Sequence, residues 1–222
     1  MCSSDLLKKF YTEPPVCKSE ILRYAGCKSP DAEIQKLLDT CIDEALGRLE
    51  YKVCYIKTPV SVTNNICDFS FFCATSNKLA KNLNGCNEAV IFGATIGVEI
   101  DRLIAKYGHI SPVKALIFQA LGAERIEALC DVFCADLQTA ENVGLKPRFS
   151  PGYGDLPLST QTDIFKLLNC SKNIGLTLNN SLIMSPSKSV TAIVGLTEKS
   201  QKSNVNKCAL CDLRNCAYRG AL

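Results

Sequence analysis

Cys208, Cys211 and Cys216 stand in a C-x2-C-x4-C spacing. Sulfurs so spaced on a tight turn converge on one centre, as zinc and iron–sulfur clusters require. They follow a polar stretch rather than an apolar one, which makes them candidate metal ligands, with a [4Fe-4S] cluster ahead of zinc. A second constellation is Arg148-Phe-Ser-Pro-Gly-Tyr153. Its arginine offers a planar fork for a carboxylate, and Pro151 stiffens the turn. Gly152 lets a ligand approach the backbone, and Tyr153 brings a ring with a polar tip. The set suits a small ligand that combines a carboxylate with a flat ring. Other chemistry has less to stand on. His109 is the one histidine, so histidine triads and histidine-rich zinc sites rest on a single residue. Gly93-Ala-Thr-Ile-Gly97 lacks the lysine and the glycine spacing of a phosphate loop.

The elements that must position these residues are partly legible. Residues 18 to 27 suit a short helix stopped by Gly26. Ile34, Leu37, Leu38, Cys41, Ile42, Ala45, Leu46 and Leu49 recur at three and four residues, an apolar helical stripe. Ser29 as cap and Pro30 at the first helical position would start it. Tyr51 to Phe72 is rich in β-branched and aromatic residues and predicts two strands, broken by Pro59 and Asn64-Asn65. A helix from Ser76 to Leu83 and a buried strand from Glu88 to Gly93 follow. Thr95-Ile-Gly97 then turns into a further helix. Ser111-Pro112 opens a long helical stretch that Gly122 would bend or break. Residues 143 to 158 read as an irregular loop of the length that usually serves function. A helix over Thr160 to Leu168 and strands over Ser181 to Met184 and Ser189 to Leu196 complete the pattern.

At 222 residues the chain has ample length for a core, and 47% hydrophobic against 21% charged residues is a globular composition. A net charge of +3 argues against a nucleic-acid partner. No apolar run approaches the roughly 20 residues of a membrane helix. The N-terminus lacks the features of a secretory signal, so the expected location is cytoplasmic. The 11 cysteines outside the C-x2-C-x4-C group are expected to pack as small buried hydrophobes. From Thr197 the composition turns to Lys, Ser, Asn and Gln. This divides the chain into a domain over 1–198 and a linker with cysteine-rich tail over 199–222, the latter carrying a net charge of +4.

Arg148-Phe-Ser-Pro-Gly-Tyr153, Thr162-Asp-Ile-Phe-Lys-Leu-Leu168, Ile174-Gly-Leu-Thr-Leu178 and Ser181-Leu-Ile-Met-Ser-Pro-Ser-Lys-Ser-Val190 together resemble the S-adenosylmethionine-binding activation domain of cobalamin-dependent methionine synthase, in its stand-alone form. The resemblance runs from about Ile21 to Leu196. It implies an α+β fold, an antiparallel sheet with helices packed around it. It also implies reactivation of the synthase by reductive methylation of cob(II)alamin, with S-adenosylmethionine as methyl donor. The chain would then be an accessory component of a methyltransferase, with no catalytic side chain of its own.

By the same resemblance Arg148 grips the methionyl carboxylate and the Ser150 backbone meets the nucleoside. Gly152 and Tyr153 close the pocket, and Glu127 meets the ammonium group or the ribose hydroxyls. The family's aspartate near the N-terminus has Asp68 as its nearest counterpart, and its tyrosine in the final strands has none. The implied partners are a cobalamin-binding methionine synthase subunit or another corrinoid protein, and a flavodoxin- or ferredoxin-type electron donor. A runner-up reading is an iron–sulfur electron-transfer or corrinoid-maintenance protein with a vestigial pocket. A zinc-stapled interaction domain is a third.

Overall fold

A computed structural model describes residues 5–198. Its frame is a five-stranded antiparallel sheet in the order β1-β2-β6-β10-β7. The strands are β1 (Leu7–Tyr11), β2 (Tyr51–Pro59), β6 (Glu88–Thr95), β7 (Gly144–Leu145) and β10 (Ser189–Thr197). Between β2 and β6 lie β3 (Ser61–Thr63), β4 (Ile66–Asp68) and β5 (Cys73–Thr75), which form a small sheet of their own. A third ladder pairs β8 (Thr177–Leu178) with β9 (Met184–Ser185).

The helices are α1 (Lys18–Tyr24), α2 (Ala32–Ala45), α3 (Asn77–Asn82), α4 (Glu99–Gly108), α5 (Pro112–Glu141), α6 (Thr160–Leu168) and α7 (Cys170–Ile174). They cover both faces of the main sheet. Side chains alternate across a strand, so Val90, Phe92 and Ala94 join one core with residues of α1, α2, α4 and α5. Ala89 and Ile91 join the other with residues of α3, α6, α7 and the small sheet. Burial on both faces explains why β6 reads as an unbroken apolar run. Phe133 of α5 packs on Tyr55 and Phe92, with ring centroids 5.1 and 4.9 Å apart, and so lays the long helix against the sheet.

The predicted fold class is the observed one, and several local expectations are corrected. The first long helix starts at Ala32 rather than at Pro30. Asp31 and not Ser29 is the cap, its Oδ1 accepting from Ile34 N at 2.8 Å. Residues 51–75 hold four strands, not two. Pro59 and the Asn64 turn, with φ 57°, break them as expected.

Gly122 does not interrupt α5, which runs 30 residues to a left-handed Asn142 at φ 53°. A Cβ there would stand 2.8 Å from both Ile100 Cγ2 and Lys188 Cγ, so the glycine is present for close packing against α4 and β10's leading loop. Of the strand expected over Ser181 to Met184, only Met184 is in a strand, at the start of β9. Asn179 Oδ1 accepts from Ser181 N and Ile183 N at 2.9 Å each, an alternative to a ladder that asparagine readily supplies.

Six of the ten free cysteines among the described residues are buried. Cys17 and Cys73, however, are exposed, which departs from the packing expectation. Cys208, Cys211 and Cys216 lie outside the described residues, as does the linker expected before them.

Candidate functional site

Two elements far apart in sequence build the site. On α5, Glu127 and Asp131 are four residues apart, and that spacing puts both carboxylates on one face of a helix. Opposite them, the stretch after β7 continues along the edge of the main sheet. Phe149 and Ile193 exchange both backbone hydrogen bonds at 2.9 Å. The strand-like alternation there sends Phe149 into the core that holds Ile193 and leaves Arg148 on the α5 side.

Arg148 donates from Nη2 to Glu127 Oε2 at 2.6 Å and from Nη1 to Asp131 Oδ1 at 2.5 Å. Only 11% of its side chain is exposed, against 43% for Glu127 and 65% for Asp131. Burial works against the guanidinium's charge, but the acidic groups of Cys130, Glu127 and Asp131 around it outweigh that and raise its pKa. Burial also raises the pKa of the Cys130 thiol, so that group is neutral at ordinary pH. The charges that hold Arg148 are therefore the two carboxylates. The result is a cation fixed at the sheet edge with two acids sharing one fork, a geometry in which a ligand carboxylate can take over a ready-made place.

The rest of the loop is a tight turn followed by an anchor. Tyr153 N donates to Ser150 O at 3.1 Å, Pro151 occupies the second position and Gly152 the third at φ 84°, as a type II turn demands. The Tyr153 ring meets Phe149 edge-on at 5.3 Å and keeps 43% exposure. Gly152 does not leave room for a ligand on its Cβ side. Leu158 Cδ1 stands 3.2 Å from where that carbon would be, so the glycine serves the turn and the packing of Leu158.

Asp155 then ties the loop to α3. Its carboxylate accepts from the Ser76 hydroxyl, from Asn77 N at 2.8 Å and from Lys78 N at 3.1 Å. The Ser76 hydrogen bond and these two amides hold the Asp155 carboxyl down at about 2.

Of the expected site residues, Glu127 and Arg148 are joined directly, and Ser150, Gly152 and Tyr153 form the adjoining turn. Asp68 lies elsewhere: it accepts from Ser70 N at 2.8 Å, and its neighbours Cys67 and Phe69 belong to the core on the other face of the sheet. His109 is the exposed C-cap of α4.

Two contributors escaped the sequence reading. Asp131 could have been found, because it lies one helical turn beyond Glu127. Asp155 had no local signal, since its partners Ser76, Asn77 and Lys78 are 77 to 79 residues away. Among the described residues no group of three or more His, Cys, Asp or Glu side chains could hold a metal ion. Among the same residues no helix is long and apolar enough to cross a membrane.

Comparison with solved structures finds the same architecture in a crystal structure of the MetH reactivation domain bound to AdoHcy. The TM-score is 0.63 at 15% sequence identity, covering 86% of this chain and 78% of that one. No curated protein matches the chain. The family model described as vitamin B12 dependent methionine synthase, activation domain, matches residues 72–220, a span that takes in α5, the Arg148 loop and the three cysteines of the tail. With the fold and the matched span in agreement, the chain belongs to the activation-domain family of vitamin B12-dependent methionine synthase.

Proposed function

We propose that the chain binds S-adenosylmethionine at the Arg148 site and presents it to a corrinoid protein, a cobalamin-binding methionine synthase subunit or a relative, for reductive methylation of cob(II)alamin. The observation that carries this reading is the largely buried Arg148, held by two carboxylates beside a rigid turn at the sheet edge. The guanidinium takes the ligand's carboxylate, and Glu127 takes its ammonium group or ribose hydroxyls. The Ser150 backbone meets the nucleoside, and Tyr153, on the turn that Gly152 permits, closes over it. When docked, the corrinoid supplies the cobalt nucleophile and the one-electron chemistry. The chain's own contribution is orientation, and the reaction asks no side chain to act as nucleophile or base. Tying the loop to α3 through Asp155 keeps that orientation from being spent on loop motion.

For the segment over 199–222, taken as a unit separate from 1–198, the proposal rests on sequence alone. Cys208, Cys211 and Cys216 would bind a [4Fe-4S] cluster, or failing that zinc, and help pass an electron from a flavodoxin- or ferredoxin-type donor.

The test of the pocket is a calorimetric titration of S-adenosylmethionine into the wild-type chain and into Arg148→Ala, both prepared without oxygen. Saturable binding that the substitution abolishes is the expected result. Equal binding by both proteins would put the ligand elsewhere, and no binding by either would remove the reading.

A further inference from the structure

We infer that Asp131 makes the site sensitive to the charge on the ligand's sulfur, so that it prefers the sulfonium methyl donor to the thioether left after methyl transfer. The inference rests on the S-adenosylmethionine reading above and adds a residue to it.

Arg148 is shared between Glu127 and Asp131, at 2.6 and 2.5 Å. These three side chains carry one more negative charge than positive. A ligand carboxylate that takes a place on the guanidinium competes with the two acids for its donors. S-adenosylmethionine brings two cations, its ammonium and its sulfonium, against one carboxylate. Its net charge of +1 cancels the excess on the three side chains. Once the methyl group has left with its bond to sulfur broken and the electron pair kept on sulfur, the product is a neutral zwitterion, and the three side chains and the ligand together keep the excess of one negative charge. The count is the same whether Glu127 meets the ammonium or the ribose hydroxyls.

Position makes Asp131 the residue to carry this preference. It is a helical turn beyond Glu127 on the same face of α5, and its side chain is the most exposed of the three, so it can turn from the guanidinium to an arriving cation at little cost. That exposure also bounds the effect, because water screens the attraction. A single exposed pair of this kind is worth roughly 1.4- to fivefold in affinity. The consequence for turnover is that product leaves more readily than the donor it came from.

The experiment titrates three probes into the full chain: S-adenosylmethionine, S-adenosylhomocysteine, and sinefungin, which carries an ammonium where the sulfonium stands. The proteins are wild type, Asp131→Asn, Asp131→Glu, and Arg148→Ala with Arg148→Lys as its milder partner. The wild-type chain is expected to bind both cationic probes more tightly than S-adenosylhomocysteine, with the ratio shrinking as salt rises. Asp131→Asn should weaken the two cationic probes by roughly 1.4- to fivefold while leaving S-adenosylhomocysteine unweakened, and Asp131→Glu should restore the ratio.

Equal weakening of all three probes by Asp131→Asn, or no change in any, overturns the charge preference while loss of binding in the Arg148 variants keeps the pocket. Tighter binding of S-adenosylmethionine alone, with sinefungin behaving like the thioether, would assign the preference to the methyl group and also overturn it. Unaltered binding in both Arg148 variants, or no binding to wild type, overturns the pocket and the preference together.

Discussion

Replacing Arg125 with methionine removes the most heavily bonded buried cation among the described residues and isolates what it contributes. Arg125 is fully buried, and α5 presents it to the N-terminal segment rather than to the ligand site. Its Nε and Nη2 donate to the two oxygens of Glu124 at 2.6 Å each, Nη1 to Pro14 O at 2.5 Å and Nη2 to Pro15 O at 2.6 Å. Glu124 is itself 4% exposed, and its other described bond is from Cys17 N at 3.0 Å. Arg125→Met therefore strands a buried carboxylate and leaves two proline carbonyls without their donors.

Removing one partner of a buried pair costs about 3–5 kcal/mol, a large share of the roughly 5–15 kcal/mol that holds a typical domain together. With a urea slope of about 2 kcal/mol per molar, the unfolding midpoint should fall by roughly 1.5–2.5 M. The double substitution Glu124→Gln with Arg125→Met strands no charge. It should therefore be destabilised by less than the sum of its single variants. A midpoint shift below about 0.5 M for Arg125→Met, or a double variant that loses the full sum, would refute the argument. Folded Arg125→Met should still bind S-adenosylmethionine, because residues two apart on a helix do not share a face.

Further expectations concern the loop, the helix and the tail. Asp155 has a folded pKa of about 2, below the ordinary carboxylate value near 4, so its hold on the loop is complete above about pH 4 and fades as pH falls toward 2. Protection of the Asn77 and Lys78 amides against hydrogen exchange should fade over that window, and should be weakened at every pH in Asp155→Asn; pH-independent protection would count against the clamp. Gly122→Ala gains about 1 kcal/mol of helix propensity but forces a Cβ to within 2.8 Å of Ile100 and Lys188, an overpacking that costs about 1–3 kcal/mol. Urea melts should show it no more stable than wild type, and a clear gain would show that the contact with α4 relaxes freely. Full-length protein purified without oxygen should be brown, with the colour lost in Cys211→Ser; a colourless protein carrying zinc would replace the cluster by the zinc alternative.

What the chain of residues determined alone is what local periodicity and local chemistry encode. The stripe from Ile34 to Ala45, the start of α5 at Pro112, and α6 over Thr160–Leu168 follow from apolar spacing and helix-start signals within one stretch, although the same spacing carried on to Leu46 and Leu49, which lie past the end of α2. The Pro-Gly pair in the Arg148 loop specified its turn, because a type II turn needs a stiff second position and a positive φ at the third. Glu127 and Arg148 were both singled out by the family pattern, and the fold joins them in an ion pair.

Tertiary structure decided the rest. Gly122 reads as a breaker until Ile100 and Lys188 are seen to fill the space a side chain would need. Phe149 reads as loop until Ile193 supplies its hydrogen bonds at the sheet edge, and that pairing is what turns Arg148 toward α5. Asp131 reads as a surface acid until the guanidinium of a residue 17 positions on arrives. The physical reason is common to all three: a neighbour distant in sequence sets the space, the bonds or the charge that a residue meets, and no local pattern carries that information.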